Sequence, residues 1–385
     1  MRLTIVITAI LSLLLSACDS NNASQCDTVV IGVGLPLSGG SEGTGQNVLR
    51  ALSLAVDDAN AQGGVDGRDV ELMVRDDGSG VSQSVVRSGA EDFASDECVV
   101  AVVGHLNSSA TLWAQQVYDD EHIVNFTPAS TASSIASNSE WTFRNITHNG
   151  YKGLFLADYA KGELGLRRVG VIFDDDAFGT DLETFFVDEA DKIGLRIVGD
   201  SSYSRTQTEP EIEAVIAASV AKDLAAGAEA IYAAGVLNEG VIVVNEVRSQ
   251  AGADMPIIWS GWEEPLLIEQ AGANAEGVLV PIHRVYDESN PDVSAFKSRF
   301  ESRFGQPPGA FAPFAYDAFG MIVRAAREAG TDRTAIRDYL ASIDTADEAY
   351  AGLTGQIYFD EAGDPAEHFV SALVVRNGEF VPFGD

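Results

Sequence analysis

Residues 99–131 read VVAVVGHLNSSATLWAQQVYDDEHIVNFTPAST and contain two consecutive strand-to-helix turns rich in small hydroxyl residues. Residues 99–103 form an unbroken, largely β-branched apolar run, which is typical of a strand buried on both faces of a parallel sheet. A helix is predicted at about 110–121, and a second short strand at 123–126 leads into a turn at 127–131. In a doubly wound sheet such turns lie together at the carboxyl ends of the strands, where ligands bind. The stretch therefore predicts half of a ligand pocket.

Ser108 and Thr131, one in each turn, are the candidate ligand contacts. Backbone N–H groups and hydroxyls at such turns can hold a carboxylate without a cation. The alternative is that these residues only cap helices, because Ser and Thr are preferred N-caps and Ser108 or Ser109 stands where the cap of the next helix belongs. From the stretch alone both interpretations stay open.

Strand and helix patterns alternate along the chain in two successive sets. The first set has strands at 28–33, 70–74, 99–103 and 123–126, with helices at 46–61, 82–93 and 110–121. The second set begins with a helix at 151–161 and a strand at 168–173, followed by strands at 195–198, 230–234, 256–259 and 277–281 with helices between them. Helices at 293–304, 313–329 and 333–343 and strands at 355–359 and 369–375 close the chain. This order predicts an α/β protein of two lobes, each with a parallel sheet and right-handed crossovers.

The charge of the chain excludes two classes of partner. The 385 residues include 58 acidic and only 24 basic side chains, which gives a formal net charge of −34. Such a chain repels nucleic-acid phosphates and anionic lipid headgroups. With 46% hydrophobic residues the composition is otherwise that of an ordinary globular protein.

The amino terminus has the pattern of an export signal. Residues 1–17, MRLTIVITAILSLLLSA, combine one arginine, an apolar run and small residues, as a secretory signal peptide does, and the run is short for a membrane span. The ending Leu15-Ser16-Ala17-Cys18 resembles the bacterial lipobox, which implies that Cys18 is lipidated and becomes the mature terminus. Residues 18–27 then form a tether, and the lipid is the only predicted membrane contact. The alternative is a soluble secreted protein that is cut elsewhere.

Two further cysteines, Cys26 and Cys98, each stand just before a predicted strand. If those strands are parallel neighbours, both cysteines lie at the same end of the sheet and can form a disulfide. An exported compartment permits that bond.

The common motifs of enzymes and metal sites are missing. Residues 40–46 have the glycine spacing of a P-loop, but Gln46 replaces the lysine that would meet the phosphates. Leu37 occupies the third glycine position of a dinucleotide motif that begins at Gly32. The five histidines, at positions 105, 122, 148, 283 and 368, show no ligand spacing, and the neighbouring carboxylates of Asp174 and Asp176 are a weak cation motif. We therefore expect no enzyme activity, no cofactor and no metal site.

Several fragments together resemble one family. These are IGVGLPLSGG, ALSLAVDDANAQGGVDGRDVELMVRDD, GHLNSSAT, EHIVNFTPAST, VGVIFDDDAFG and FAYDAFG, in this order. The chain resembles type I periplasmic binding proteins of the branched-chain amino-acid (Leu/Ile/Val) family, the ligand-capturing subunits of ABC importers, over nearly all of residues 28–382. The resemblance implies two doubly wound, Rossmann-like lobes joined by a three-strand hinge. Lobe 1 would comprise 28–146 and 282–353, and lobe 2 would comprise 147–281 and 354–385.

The resemblance also implies a set of ligand-binding residues. The ligand carboxylate would be held by Ser108, Ala129 and Thr131, with Ser130 beside them. Thr44 stands where relatives cover the ligand with an aromatic ring, and Phe178 and Val236 match aromatic positions of the second lobe. Trp262 falls near the position of the acidic residue that pairs with the ligand ammonium, and Glu263 is next to it. The carboxylate half of the site is thus retained, and the ligand is an amino acid or a carboxylate with another far end, such as an aromatic acid stacked on Trp262 or Phe178.

These expectations define a function and its partners. The resemblance implies a monomeric, lipid-anchored solute-binding protein on the periplasmic side of the cell membrane, which delivers its ligand to the permease subunits of an ABC importer. Asp19 after Cys18 resembles a signal for retention at the inner membrane. The rival function is a ligand-sensing module that reports to a receptor or a kinase.

Overall fold

A computed structural model describes residues 26–261, 265–282 and 289–383. Its first sheet consists of five parallel strands in the order β2-β1-β3-β4-β5. The strands are β1 (Val29–Leu35), β2 (Val70–Asp76), β3 (Val99–Gly104), β4 (Val124–Thr127) and β5 (Thr142–Arg144). The connecting helices are α1 (Glu42–Ala61), α2 (Gln83–Ser95), α3 (Ser108–Asp120) and the short α4 (Ser134–Ser137). Every residue of β3 is buried, as its apolar run predicted.

The second sheet has seven strands in the order β14-β13-β10-β9-β8-β6-β7. Its parallel strands are β6 (Arg168–Asp174), β7 (Arg196–Tyr203), β8 (Ala230–Ala234), β9 (Ile257–Trp259) and β10 (Val278–Ile282). The helices of this region are α5 (Asn149–Gly162), α6 (Ala177–Ile193), α7 (Glu209–Ala225), α8 (Leu237–Ala251) and α9 (Pro265–Ala271). We call the first sheet with its helices the first lobe, and the second sheet with its helices the second lobe.

The last part of the chain serves both lobes. Helices α10 (Pro291–Phe304), α11 (Ala312–Ala329) and α12 (Arg333–Ala341) belong to the first lobe, where α11 packs on α1. A two-stranded ribbon of β11 (Tyr350–Gly352) and β12 (Gly355–Ile357) follows, and β13 (Ser371–Arg376) and β14 (Glu379–Pro382) then join the second sheet. These last two strands pair antiparallel, so the second sheet is parallel only over its five other strands.

Each sheet is covered by helices on both faces, which explains why central strands such as β3 and β8 are buried along their whole length. In the first lobe, α2 and α3 pack on one face, and α1, α11 and α12 pack on the other. In the second lobe, α5 and α6 cover one face, and α7 and α8 cover the other. The chain passes from one sheet to the other after β5, after β10 and before β13, which agrees with the predicted two-lobed fold.

The predicted element order is confirmed, and three strands were not predicted. These are β5, β11 and β14, which are all short. The sequence did contain a signal for β14, namely the dipeptide Asn377-Gly378, which is typical of a two-residue hairpin turn. In the structure both residues have positive φ, of 54° and 78°, and they connect β13 to β14. The lobe boundaries stay a proposal, but Ile357 and Phe359 lie in the core of the first lobe, so the packing favours a last boundary beyond 359 rather than at 353.

The predicted disulfide is present. Cys26 and Cys98 are bonded with their Cα atoms 5.7 Å apart, because β1 and β3 are parallel neighbours, as the pairing required. The predicted signal peptide, Cys18 and most of the tether fall outside the described residues. Among the helices of the described ranges, none is both long enough and apolar enough to cross a membrane.

Candidate functional site

The Ser108 turn lies at the carboxyl end of β3, where α3 begins. Asn107 is the N-cap of α3 and Ser108 is its first residue, so neither Ser108 nor Ser109 is the cap. The Ser108 hydroxyl oxygen instead accepts a hydrogen bond from the backbone N–H of Ala132 over 3.1 Å. This bond joins the two turns that the sequence placed side by side.

Thr131 is also not a helix cap. The next helix, α4, begins at Ser134 and has Ser133 as its N-cap. Thr131 is completely buried, and its carbonyl oxygen accepts a hydrogen bond from the N–H of Asn149 over 2.7 Å. Its hydroxyl oxygen is buried without a hydrogen-bond partner among the described residues. Because a buried hydroxyl without a partner costs about 1–3 kcal/mol, Thr131 is the residue of this turn that a polar ligand would satisfy.

Ser130 is held inside the first lobe. Its hydroxyl donates to the carbonyl oxygen of His105 over 2.9 Å and lies 2.6 Å from the hydroxyl of Thr111. Its N–H donates to the Thr127 hydroxyl over 3.0 Å, and Ala129 N lies 3.4 Å from the same oxygen. These contacts favour a positioning role for the Ser130 hydroxyl over the predicted ligand contact. Ala129 is buried beside it.

The side chain and the carbonyl group of His105 form hydrogen bonds that hold the Thr127–Thr131 turn in place. One ring nitrogen lies 2.8 Å from the Asp77 carboxylate and the other lies 3.1 Å from the Tyr118 hydroxyl, and all three side chains are buried. With the ring held in place, the carbonyl oxygen of His105 receives the hydroxyls of both Thr127 and Ser130. The histidine therefore supports the two turns.

Arg144 also holds the Thr131 turn, through hydrogen bonds to its backbone. It donates to the carbonyl oxygens of Ala132, over 2.7 Å, and Ser130, over 3.3 Å, and it pairs with the Asp364 carboxylate. Arg144 is completely buried. The sequence analysis missed it, because Arg144 is the last residue of β5, a three-residue strand that the sequence pattern did not predict.

The second lobe approaches these turns with the beginning of α6. Asp176 caps this helix by accepting from the N–H groups of Phe178 and Gly179. Two contacts cross between the lobes here. The N–H of Ala177 donates to the Ser109 hydroxyl over 3.2 Å, and Ser133 donates from its N–H (2.9 Å) and its hydroxyl (2.6 Å) to Asp181. The first turn of α6 thus closes over the predicted carboxylate half of the site.

The other predicted ligand residues are spread around this junction. Phe178 is buried in the core of the second lobe, and its carbonyl oxygen accepts from the Asn149 side chain over 3.3 Å. Val236, the N-cap of α8, packs half-buried on the same core. Thr44 lies in the first turn of α1, which faces α9, since a methyl group built on Gly43 would lie 3.1 Å from Leu266. Trp262 and Glu263 fall outside the described residues.

A second junction between the lobes is formed by Arg205, which the sequence analysis also missed. Its buried guanidinium pairs with Asp174 and, over 2.6 Å, with Asp176, and it donates to the carbonyl oxygen of Ser79 in the first lobe over 2.9 Å. The cation between the two aspartates is therefore an arginine. Burial, followed by the neighbouring Asp176, raises the pKa of Asp174 to about 7.

Ser79 presents its carbonyl oxygen from an unusual backbone conformation. Its φ of 60° lies in the left-handed region, and its hydroxyl donates to the carbonyl oxygen of Ser38 over 2.7 Å and accepts from the N–H of Ser41 over 3.0 Å. Ser79 thereby ties the loop before α1 to the junction.

Over the described ranges of the chain, no cluster of three His, Cys, Asp or Glu residues could hold a metal ion.

Known proteins resemble this chain in sequence and in fold. A family model described as periplasmic binding protein matches residues 28–379. An amino acid binding protein of Pseudomonas aeruginosa is 31% identical over 63% of each chain. Leu/Ile/Val-binding protein homolog 1 of Brucella suis is 25% identical over 91% of each chain. Among solved structures, the leucine binding protein LivK of Thermotoga maritima superposes with a TM-score of 0.82 at 25% identity, over 92% of this chain and 97% of that one.

Proposed function

The chain belongs to the periplasmic binding proteins, as a type I member of the branched-chain amino-acid family, and from this membership we propose that it captures an amino acid or a related small carboxylate for an ABC importer. Members of this family are solute-binding proteins and not enzymes. The proposal has four parts: the contacts to the ligand carboxylate, the closure of the lobes, the permease partner and the lipid anchor.

The buried Thr131 hydroxyl carries the proposal. It has no partner among the described residues, and the adjacent N–H of Ala132 is bonded to Ser108 at the first turn of α3. The first N–H groups of a helix lack partners within that helix, and the helix dipole favours an anion there. A ligand carboxylate at this position would accept hydrogen bonds from Thr131 and from the beginning of α3, so no cationic side chain is needed.

Closure of the lobes would retain the ligand. The contacts of Ser109 with Ala177 and of Ser133 with Asp181 join the first lobe to α6. These contacts require the two lobes to be close together, so they stabilise a closed form. Closure also removes water from the polar contacts and thereby strengthens them. We infer that the closed form with its ligand is the form that docks on the permease subunits.

The anchor is proposed from the lipobox-like ending at Cys18. A diacylated Cys18 would place the protein on the periplasmic side of the cell membrane, with the residues before Cys26 as a tether. We expect Cys18→Ser to move the protein from the membrane fraction to the soluble fraction of the cell. A variant that stays in the membrane pellet after a high-salt wash would contradict the anchor.

A ligand screen tests the proposed function. Protein lacking residues 1–18 would be unfolded and refolded to remove bound solute, then melted with each L-amino acid and with aromatic acids such as benzoate. We expect a carboxylate ligand to raise the melting temperature, and its amide or alcohol counterpart to have no effect. Stabilisation by the amide and the acid alike would contradict a carboxylate site.

A further inference from the structure

A buried carboxylate that the proposed ligand contacts do not use lies at the second junction between the lobes. Glu239 is the third residue of α8, and 8% of its surface is exposed. One of its carboxylate oxygens, Oε2, is buried without a hydrogen-bond partner among the described residues. A buried carboxylate oxygen without a donor lowers stability, so this position needs an explanation.

Glu239 belongs to a cluster in which negative charge exceeds positive charge. Arg205 supplies a single guanidinium, which three carboxylates face. Burial alone would lower the pKa of Arg205, but these carboxylates raise it, so the guanidinium stays charged. The titratable groups of the cluster come from β6 and β7, the turn after β7, and the beginnings of α6, α7 and α8: Asp174, Asp176, Tyr203, Arg205, Glu209 and Glu239. With every carboxylate ionised, the cluster holds an excess of negative charge.

The first lobe covers this cluster with uncharged groups. The carbonyl oxygen of Ser79 accepts the hydrogen bond from Arg205. A methyl group built on Gly40 would lie 3.2 Å from the side-chain nitrogen of Asn238, the residue before Glu239. Ser79 and the loop that contains Gly40 are joined to each other through the Ser79 hydroxyl. Separation of the lobes would therefore remove one continuous cover and admit water to the carboxylates.

Closure of the lobes thus disfavours the fully ionised cluster. Carboxylates that share a dry site with one cation repel one another, and protonation of one of them relieves this. Burial raises the pKa of Glu239, and burial followed by Asp176 raises the pKa of Asp174 to about 7. Asp174 and Asp176 each have N–H donors on both carboxylate oxygens. Oε2 of Glu239 has no such donor among the described residues, so it is the oxygen on which a proton disrupts no hydrogen bond.

We propose that Glu239 takes up a proton when the lobes close, so that ligand capture becomes tighter as the pH falls. The proposal rests on the proposed function, since the ligand must stabilise the closed form. In the open form water surrounds the carboxylate and its pKa is lower, so closure binds a proton between the two pKa values. Because the cluster titrates as a unit, affinity should rise as the pH falls from about 7 towards the ordinary 4.5 of a glutamate, and should be constant above about 7.

Calorimetry on refolded protein tests this inference. The probe is the L-amino acid with the largest effect in the ligand screen, or benzoate if no amino acid binds, chosen so that its own charge is constant between about pH 5.5 and about pH 8. We expect binding at the lower pH to be about 4- to 30-fold tighter than at the higher pH. At about pH 5.5, two buffers with different ionisation enthalpies should show that binding takes up most of one proton.

The variant Glu239→Gln imitates the protonated acid. It should bind the probe with nearly equal affinity at both pH values and without proton uptake. Glu239→Ala also removes the titration and serves as a second variant. The control is Glu246→Gln, about two turns further along α8, where the carboxylate accepts a hydrogen bond from Gln250. This control should keep the pH dependence of the wild type.

Two results would overturn the inference and leave the proposed function intact. The first is a wild-type affinity that is equal at both pH values without proton uptake. The second is a pH dependence that persists in both Glu239 variants. If neither the amino acids nor the aromatic acids bind, the proposed function fails together with the inference.

Discussion

Arg205 of the second lobe donates a hydrogen bond to the carbonyl oxygen of Ser79 in the first lobe, with 2.9 Å between Nη1 and the oxygen. The guanidinium is held in this direction by Asp174 and Asp176, which belong to its own lobe. The acceptor is held equally well, since the Ser79 hydroxyl bonds the carbonyl oxygen of Ser38. Two rigid partners therefore meet across the cleft, and separation of the lobes would break the bond.

Replacement of Arg205 by lysine should speed ligand release. Lysine keeps the positive charge beside the two aspartates. It lacks the planar guanidinium group of arginine, so it cannot bond both aspartates and the Ser79 carbonyl oxygen at the same time. If the lost bond contributes about 1–2 kcal/mol to the closed form, the dissociation rate rises by about 5- to 30-fold, with a smaller change in the association rate. Stopped-flow fluorescence measures both rates.

The matched control is Arg299→Lys, because Arg299 pairs with Asp58 on the surface of the first lobe, away from the junction. Equal dissociation rates in the two lysine variants would show that Arg205 does not hold the lobes together.

Thr131 and Ser130 are neighbours with opposite expected phenotypes. Thr131→Val removes a buried hydroxyl that bonds none of the described residues, so it should not lower the melting temperature of the ligand-free protein, and it should weaken ligand binding by about 10- to 150-fold. Ser130→Ala removes the bond to His105 and should cost about 1–3 kcal/mol of unfolding free energy. Urea unfolding and calorimetry measure the two quantities. Wild-type affinity in Thr131→Val would exclude the carboxylate contact.

The Cys26–Cys98 disulfide should stabilise the first lobe by restricting the unfolded chain. The two cysteines are 72 residues apart in sequence, and loop-closure entropy for such a length corresponds to about 4 kcal/mol. We expect the Cys26→Ser/Cys98→Ser variant to lose a similar free energy of unfolding in urea. Reducing agent should destabilise the wild type and leave the double variant unaffected. A reducing agent that acts on neither protein would mean that the bond does not form in solution.

His148 should make the protein less stable in acid. Burial, followed by the nearby Arg144 guanidinium, lowers the pKa of His148 from 6.5 to about 4. Its Nδ1 accepts the N–H of Gly150 at the start of α5, which requires the neutral ring. Between these two pKa values the unfolded chain binds a proton that the folded protein does not, so stability falls as the pH falls from about 6.5 to about 4.

The variant His148→Asn keeps a capping acceptor and removes this titration. Its melting temperature should therefore fall less than that of the wild type over the same pH range. The difference between the two curves isolates His148, because all other titrating groups are shared. Parallel curves would mean that His148 titrates alike in the folded and unfolded chains.

The sequence by itself determined the order of strands and helices, the two lobes and the disulfide. These depend on local periodicity and on the rule that parallel neighbours align their ends, both of which can be seen over a few residues. Residues 99–131 also contain the two turns of the proposed site, which could be recognised because an apolar strand followed by small hydroxyl residues is a local pattern. The two turns lie side by side because β3 and β4 are parallel neighbours, which follows from their succession along the chain.

Only the tertiary structure decided which side chains of these turns are already bonded. Ser130 and Thr131 are alike in sequence, yet one hydroxyl is bonded to His105 and the other bonds none of the described residues. The arginines that support the proposed site bond distant residues: Arg144 and Asp364 are 220 positions apart, and Arg205 and Ser79 are 126 apart. Periodicity reports which face of an element is buried, but the partner of a buried polar group depends on which elements the fold brings against it. For that reason the sequence could point to the turns of the proposed site, whereas the packing of the two lobes determined which of their polar side chains are bonded within the protein.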